Sequence, residues 1–319
     1  MGGLGIDHNQ AMPRRLPIGV RLAITLAAAL LSLPVPVHAM PLSPESEGAV
    51  TLVGAGDIAV CGSTTSDTRT AQLVADILLA DPTAIAFTLG DNVYPDGSSN
   101  WYASCYEETW GAFKSRTRPV PGNHDYYNNP KAEGYFEYFG ANAGPAGRGW
   151  YRYNAGVWRV YALSSECARG SRCYQRQYRW LRADLINNPR QCVLAMWHRP
   201  RFSSGEEHGS SKRMAPFYKL LYAYGAEIVL SGHDHNYERF HPTDGVGNIS
   251  PKSGIRQWVV GTGGTAVRAF DSPALPATAT RDATSHGVLR LDLYAGGYSW
   301  QYLTTSNNPY TDTGSSVCH

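Results

Sequence analysis

From Val50 onward, short apolar runs alternate with segments whose apolar residues recur at helical spacing. Residues 50–53 and 84–89 have the length and composition of buried strands. Asp67 is the predicted cap of an intervening helix. The apolar positions of that helix are Ala71, Val74, Ala75 and Leu78. Such alternation predicts an α/β fold, in which strands and helices form separate layers.

The same alternation continues to the end of the chain. Helical spacing covers residues 174–185, which precede the stop signal Asn187-Asn188-Pro189, and residues 212–224. Ala295-Gly296-Gly297 is a predicted hairpin turn. The remaining predicted strands are residues 192–197, 227–230, 256–260, 288–294 and 298–303. Since no repeat or low-complexity tract interrupts the pattern, we expect one domain over residues 50–319.

The first 39 residues have the pattern of a secretory signal. Arg14, Arg15 and Arg21 precede the apolar run 22–33, and small residues end the segment at 37–39. The run is shorter than the roughly 20 residues that a membrane span needs. The alternative is an ordinary buried or anchoring helix. We expect residues 1–39 to be removed and 40–49 to form a flexible linker. The mature protein should be exported, to the periplasm or medium, without a membrane segment.

The charge balance excludes some classes of partner. The chain has 28 Lys plus Arg and 26 Asp plus Glu, and three of those basic residues and one acid lie in the first 39 residues. The remainder is therefore formally neutral, which gives no support for general electrostatic binding of nucleic acid or anionic membranes. With 43% hydrophobic residues the chain can build a core, so we expect a globular protein with a local site.

An even number of cysteines in an exported chain indicates disulfides. Six cysteines allow 15 connectivities, and the sequence alone does not choose among them. Cys167 and Cys173 enclose five residues and form the easiest local pair. For the other four, we expect the pairs Cys61–Cys105 and Cys192–Cys318.

Polar residues follow the predicted strands at their ends, where an α/β sheet binds its ligands. A Gly-Asp pair alone is usually a turn, and a single His is commonly a structural residue. His233 and His235 are more informative, because residues two apart on an extended chain point to the same side. In chain order the groups are Gly56-Asp57, Gly90-Asp91 with Tyr94, Gly122-Asn123-His124-Asp125, His198, and Gly232-His233-Asp234-His235.

Together and in this order, the five groups resemble the calcineurin-like metallophosphoesterase superfamily, over about residues 50–240. Two positions make the chain most similar to the purple acid phosphatases and their secreted bacterial relatives. Many members have a metal-binding His where this chain has Ala59, and the purple acid phosphatases compensate with a Tyr at the position of Tyr94. The resemblance implies a four-layer α/β/β/α sandwich of two mixed sheets.

The resemblance also implies two metal ions bridged by Asp91. The first would be bound by Asp57, Asp91, Tyr94 and His235, and the second by Asp91, Asn123, His198 and His233. Binding as a phenolate calls for a strong Lewis acid, so ferric iron is expected beside Tyr94. The neutral Asn123 suits a divalent ion, namely iron, zinc or manganese, at the second position.

In this interpretation a metal-bound hydroxide attacks the phosphate of a small phosphorylated substrate. His124 would contact the phosphate or assist the leaving group, and Asp125 either orients it or is a turn residue. His208 falls near a phosphate-contacting His of plant members, with a solvated loop His as the alternative. For Arg199 and Arg201, surface ion pairing is the favoured interpretation, and contact with substrate is the alternative.

The expected function is therefore an exported, dinuclear, acid phosphatase-like phosphomonoesterase. Metal ligands do not set the ester class, so the alternative is a phosphodiesterase or nucleotidase that uses the same metal pair. A rival from another class is a non-catalytic phosphate or surface-binding module. It would be expected to have lost ligands, whereas all seven expected positions are filled. The oligomeric state is not predicted.

Overall fold

A computed structural model describes residues 48–62, 65–270, 273–305 and 310–319. The predicted signal 1–39 and nearly all of the predicted linker 40–49 lie outside these residues. The α-helices are α1 (Ser66–Ala80), α2 (Ser99–Trp101), α3 (Asn123–Tyr126), α4 (Glu133–Phe139), α5 (Arg172–Asn187) and α6 (Ala215–Ala223). The strands are β1 (Val50–Ala55), β2 (Ala59–Val60), β3 (Ile85–Thr88), β4 (Val93–Tyr94), β5 (Thr117–Arg118), β6 (Tyr151–Ala155), β7 (Trp158–Ala162), β8 (Val193–Met196), β9 (Ile228–Ser231), β10 (Tyr237–Phe240), β11 (Arg256–Val260), β12 (Thr278–Asp282), β13 (Gly287–Tyr294), β14 (Gly297–Thr304) and β15 (Asp312–Val317).

The strands form two large mixed sheets and one small one. The first sheet has the order β15-β14-β13-β1-β3-β5, and the second has the order β12-β10-β11-β9-β8-β7-β6. In the first sheet β1, β3 and β5 are parallel, and β13 pairs antiparallel to β1, with Leu52 opposite Leu291. In the second, β7, β8, β9 and β11 are parallel. A short pair, β2 and β4, is parallel.

Apolar residues on both faces of the second sheet account for its place between two layers. Along β8, Leu194 and Met196 join the core cluster that also contains Leu52 and Phe87 of the first sheet. Val193 and Ala195 point the other way and pack in a second cluster with residues of α5 and α6. Because α1 packs against β1, β3 and β13 of the first sheet, the layers follow the predicted helix, sheet, sheet, helix order. The predicted fold class is confirmed.

Local sequence explains where the helices begin and end. The Ser171 hydroxyl accepts a hydrogen bond of 3.2 Å from the Tyr174 backbone N–H, which caps α5, and Pro189 follows its C-terminus. The predicted cap of α1 was wrong, because α1 begins at Ser66 and Asp67 lies inside its first turn. The predicted helix 212–224 is real but shorter, starting at Ala215 after a loop.

The three predicted disulfides are present, as Cys61–Cys105, Cys167–Cys173 and Cys192–Cys318. The last one ties the C-terminal segment after β15 to the start of β8. Within the described ranges, no helix has the length and hydropathy that a bilayer span needs. Shorter helical turns occupy Tyr102–Tyr106, Trp110–Arg116 and Gly140–Ala143.

Candidate metal centre

The carboxyl ends of parallel strands from both sheets meet at one edge of the molecule. Asp57 follows β1 and Asp91 follows β3 in the first sheet, while His198 follows β8 and His233 follows β9 in the second. Backbone hydrogen bonds join the two sheets here, for example from Gly56 N–H to the Val260 carbonyl at 2.8 Å. The site is therefore assembled between the sheets, where each contributes part of the polar set.

Three of these residues have left-handed backbone conformations, which side chains other than glycine rarely adopt. The φ angles are 60° at Asp57, 49° at Asp91 and 71° at His233. Such strain persists only where the surrounding structure enforces it, and it concentrates at functional sites. At Gly232, a Cβ atom would lie 2.5 Å from the Asp57 carboxylate, so glycine is required where the two sheets approach each other.

The first cluster consists of Asp57, Asp91, Tyr94 and His235. The Tyr94 hydroxyl lies 3.0 Å from Asp57 Oδ1, 3.2 Å from Asp91 Oδ2 and 3.3 Å from His235 Nε2. His235 Nε2 is also 3.5 Å from Asp57 Oδ1. Four candidate ligand atoms, each from a different residue, therefore converge on one small volume.

The second cluster consists of Asp91, Asn123, His198 and His233. His198 Nε2 lies 3.2 Å from Asp91 Oδ2, 3.1 Å from Asn123 Oδ1 and 3.0 Å from His233 Nδ1. The ligand atoms of Asp91, His198 and His233 all lie within 4.8 Å of one another. Asp91 Oδ2 thus faces both clusters, and the structure brings together all seven residues that the sequence places in a metal site.

Backbone carbonyls hold two of the imidazoles in orientation. His198 Nδ1 lies 2.8 Å from the Leu89 carbonyl, and His235 Nδ1 lies 3.2 Å from the Ala266 carbonyl. Since a carbonyl only accepts, each Nδ1 is the protonated nitrogen and each Nε2 faces its cluster. Metal-binding histidines commonly have this arrangement, in which the second ring nitrogen donates to a backbone carbonyl.

The carboxylates and histidines differ in their affinity for protons. Burial opposes ionisation of Asp91, but the charge of His198 outweighs it and lowers the pKa of Asp91 to about 2. Burial also favours the neutral ring of His198, yet Asp91 raises the pKa of His198 to about 10. In the first cluster, burial raises the pKa of Asp57 to about 7 and lowers that of His235 to about 3. Burial, Asp57 and Asp91 together raise the pKa of Tyr94 well above its usual value.

The donor set fits a pair of cations. Three carboxylate or phenol oxygens and one imidazole suit a hard, highly charged ion in the first cluster. Two imidazoles, an amide oxygen and a carboxylate suit a divalent transition ion in the second. An ionised carboxylate that is fully buried costs free energy unless a nearby positive charge compensates it. Asp57 is fully buried and has no Lys or Arg partner among the described ion pairs.

His124 lies at the rim of the first cluster. Its backbone N–H donates to Asp91 Oδ1 at 2.7 Å, its Nδ1 is 2.7 Å from the Pro95 carbonyl, and its ring centroid is 4.4 Å from that of Tyr94. The ring is partly exposed beside both clusters. His124 is therefore placed where an incoming anion would meet it.

Asp125 has a different set of partners from the one that the sequence suggested. Its oxygens accept hydrogen bonds from the Gly122 backbone at 2.7 Å, from Tyr102 at 2.6 Å and from Asn92 at 3.0 Å. None of its hydrogen bonds in the described ranges goes to the His124 ring. The idea that Asp125 orients that ring directly is thus corrected, since this buried carboxylate instead fixes the loop that carries Asn123.

His208 is brought to the centre from a distant loop. Its ring stacks on the His233 ring at a centroid distance of 4.0 Å, and its Nε2 lies 3.0 Å from an Arg268 nitrogen. Arg268 also pairs with Glu207 at 2.9 Å. Burial and the Arg268 charge lower the pKa of His208, so the ring is neutral at pH 7. Because the neutral ring accepts from Arg268 through Nε2, its proton is on Nδ1, which is the atom that can donate to a bound anion.

Arg199 is the residue whose position the sequence reasoning missed. Instead of pairing at the surface, it lies 2.8 Å from His233 Nε2 through one guanidinium nitrogen. Its Nε donates to both oxygens of Glu166, at 2.9 and 3.1 Å. Glu166 comes from the loop after β7, so no spacing in the sequence links it to His198 or His233. The adjacency of Arg199 to His198 was the one available signal.

Comparisons with known proteins find a family model and several phosphatases that are similar to this chain. The model of the calcineurin-like phosphoesterase family matches residues 51–237. Purple acid phosphatase 15 of Arabidopsis thaliana is 29% identical over 219 residues, which cover 58% of this chain and 41% of that protein. Acid phosphatase type 7 of Danio rerio is 31% identical over 150 residues, covering 38% of this chain and 33% of that protein.

A solved structure has the same fold. Purple acid phosphatase PPD1 from yellow lupin seeds aligns with a TM-score of 0.67 at 20% identity, covering 84% of this chain and 53% of that one. The identity is low, so this alignment bears on the fold alone. The chain spans about a third to two fifths of the length of the curated relatives described above.

Proposed function

The chain belongs to the calcineurin-like phosphoesterase family, and on that premise we propose that it hydrolyses phosphate monoesters at a pair of metal ions. In this proposal the first cluster binds a ferric ion and the second a divalent one. The similarity to purple acid phosphatases supports the ester class, because those relatives are named as acid phosphatases.

One observation carries the proposal, namely the position of Asp91 Oδ2 between the two clusters. This oxygen lies 3.2 Å from the Tyr94 hydroxyl on one side and 3.2 Å from His198 Nε2 on the other. A carboxylate oxygen shared by two converging donor sets is the feature that a bridged cation pair needs. When bound, such a pair polarises the phosphate and supplies an activated water as the nucleophile.

The remaining residues would bind and orient the substrate. His124, at the rim, would donate a hydrogen bond to a phosphate oxygen through Nε2 in its doubly protonated form, because Nδ1 already donates its proton to the Pro95 carbonyl. His208 would contact the phosphate from the side of the second cluster. Asp125 acts only through the loop that it fixes, so we assign it a positioning role.

Hydrolysis of matched aryl phosphates tests this function. The purified chain should hydrolyse an aryl phosphate monoester with a kcat/KM at least about a hundredfold above that for the corresponding diester, across pH. A preference for the diester would leave the proposed metal centre unchanged but would indicate a phosphodiesterase or nucleotidase instead of a phosphomonoesterase. No turnover of either ester after loading with iron, zinc or manganese would contradict an enzymatic role.

We also propose that the protein is exported, with residues 1–39 acting as the signal. Three disulfides support this location, because such bonds persist in oxidising compartments. Expression of the full chain with and without residues 1–39 tests it. Export predicts that only the full chain reaches the periplasm or medium and that its N-terminus there lies near Met40.

A further inference from the structure

A groove outside the metal centre is lined by apolar residues of α6 and its neighbours. Its volume is about 470 Å³, within the range of about 300–1,000 Å³ that small-ligand sites occupy. None of its lining residues belongs to either metal cluster. We call it the α6 groove, and it is lined by Tyr178, Arg201, Ala215, Pro216, Lys219, Leu220, Ala223, Gly245 and Val246.

Arg201 is the anomalous residue of this groove. Its Nε atom is buried and has no hydrogen-bond partner within the described part of the chain. The guanidinium lies over the Phe202 ring, 4.3 Å from the centroid, so one face is covered by an aromatic surface. Burial lowers the pKa of Arg201, which records the cost of removing this charge from water. A half-buried guanidinium without a bound anion is costly, and an anion in the groove would offset that cost.

The surroundings of Arg201 favour a negative charge. Lys219 lines the same groove and adds a second positive charge. Ala215 and Pro216, at the N-terminus of α6, also line it, and the N-terminal end of a helix dipole is positive. Asp244 is the acidic residue next to Gly245, but its carboxylate accepts hydrogen bonds from the backbone N–H groups of Val246, Gly247 and Asn248, at 2.8–2.9 Å. Its charge is therefore satisfied within its own turn and does not partner Arg201.

The walls define the rest of the ligand. Tyr178, Leu220 and Val246 provide apolar surface along the groove, and Val246 is 62% exposed. A planar guanidinium binds carboxylates in a two-point geometry. We propose that the α6 groove binds a small monocarboxylic acid with an apolar tail, with the carboxylate on Arg201 and the tail along α6.

Calorimetric titration of the full chain with octanoate tests this proposal. Octanoate should bind with a stoichiometry of one, at least about tenfold more tightly than 1-octanol, because the alcohol lacks the charge that Arg201 recognises. Acetate and inorganic phosphate, which lack the tail, should bind at least about tenfold more weakly than octanoate. Equal binding of octanoate and octanol would overturn the proposal.

Two substitutions locate the site. Arg201→Met keeps the apolar stem and removes the charge, so it should abolish the preference for octanoate over octanol. Arg190→Met, at an exposed arginine elsewhere, is the matched control and should leave the preference intact. If Arg201→Met does not fold by circular dichroism, Arg201→Lys should still reduce octanoate affinity several-fold. Unchanged octanoate affinity in a folded Arg201 variant contradicts the assignment.

A second copy of the chain is the other possible occupant of an apolar groove. Sedimentation velocity distinguishes it, since occupation by octanoate predicts the same sedimentation coefficient with and without the acid. Dissociation of a dimer on adding octanoate would overturn the proposal in favour of self-association. Turnover of the aryl monoester by Arg201→Met should equal that of the unmodified chain, which separates this site from the proposed function.

Discussion

The two clusters share Asp91 but must lose different protons before cations can bind. In the second cluster, Asp91 holds His198 protonated, with a pKa of about 10. In the first, the histidine is already neutral, since the pKa of His235 is lowered to about 3. There the protons reside instead on Tyr94 and, near pH 7, on Asp57. Each cluster therefore exchanges a proton for a cation at a different kind of atom.

This difference favours different ions in the two clusters. Displacing a proton from an imidazolium is within reach of an ordinary divalent transition ion. Removing the proton of a buried phenol beside two carboxylates needs a much stronger Lewis acid, which then gains a phenolate ligand. The proton affinities of the two clusters thus support the proposed asymmetry that the sequence suggested through Tyr94 and Asn123.

The largest effect should come from the residue that the clusters share. Asp91→Asn keeps the shape of the side chain but removes the charge facing both clusters, so we expect both cations to bind weakly. The kcat/KM for an aryl monoester should fall at least about a thousandfold, equivalent to about 4 kcal/mol. Asp76→Asn, at an exposed aspartate, is the matched control. Near-normal turnover by Asp91→Asn would show that the clusters are not a metal centre.

Tyr94→Phe should affect the first cluster alone. Loss of the phenol oxygen should lower the affinity for ferric iron at least about a hundredfold and leave zinc binding to the second cluster nearly unchanged. The iron-loaded chain should be purple through tyrosinate charge transfer, and the variant colourless. Absorption spectra and metal analysis measure both. A colourless, fully active, iron-free enzyme would contradict the proposed ferric ion.

The proton on His198 should make the stability of the metal-free chain depend on pH, and a chelator keeps the chain metal-free. A histidine with a folded pKa raised to about 10 stabilises the fold fully below the unfolded value near 6.5, and this contribution is lost as pH rises towards 10. Asp57, with a pKa of about 7, is half titrated at pH 7 and has lost most of its proton by about pH 8, so the range from pH 8 to 10 isolates His198. Each pH unit there should remove at most about 1.4 kcal/mol.

Thermal unfolding of the metal-free chain measures this loss. We expect its Tm to fall between pH 8 and 9.5, and the zinc-loaded chain to show a smaller fall because the cation replaces the proton. His198→Asn, which cannot hold that proton, is the control for other titrating groups. A metal-free chain that is equally stable at both pH values would contradict the claim that Asp91 holds His198 in its charged form.

The sequence indicated which residues converge at the strand ends more fully than it indicated every strand of the fold, for a physical reason. Four of the seven candidate ligands come just after strands that are short apolar runs, such as β8 and β9, and such runs are visible in sequence. β15 was not predicted, because Asp312–Val317 contains almost no apolar residues. It is a strand through its pairing with β14 and the adjacent Cys192–Cys318 disulfide, which are long-range effects.

Side-chain partners that come from separate loops were equally hidden. The residue type and position of Asp125 suggested a partner for His124, but Tyr102 and Asn92 compete for its oxygens from the preceding segment. Arg199 was interpreted as a surface residue, because nothing in the sequence places Glu166 beside it. Neighbours along the chain predict which residues reach the site, whereas the hydrogen bonds that they form depend on the packing of loops.

Arg199 gives the most delicate test of the second cluster. Arginine only donates, and the charged His198 ring donates as well, so both ring nitrogens of His233 face a donor: Nε2 faces Arg199 at 2.8 Å and Nδ1 faces His198 at 3.0 Å. Binding a cation through Nδ1 leaves the ring proton on Nε2, opposite the Arg199 donor, which breaks the contact with Arg199. Arg199→Met should therefore increase the affinity of the second cluster for Zn²⁺ about fivefold, the worth of a net hydrogen bond of about 1 kcal/mol.

Arg213→Met provides the matched control for this prediction. Arg213 and Arg199 both contact Glu166, at 3.5 Å and 2.9 Å respectively. Among the described residues, however, Arg213 makes no contact with His233. Zinc affinity should therefore be unchanged in Arg213→Met when both variants are measured by competition with a chelator. A lower affinity in Arg199→Met would reverse the argument, because it would mean that the guanidinium holds His233 in the orientation that binds the cation.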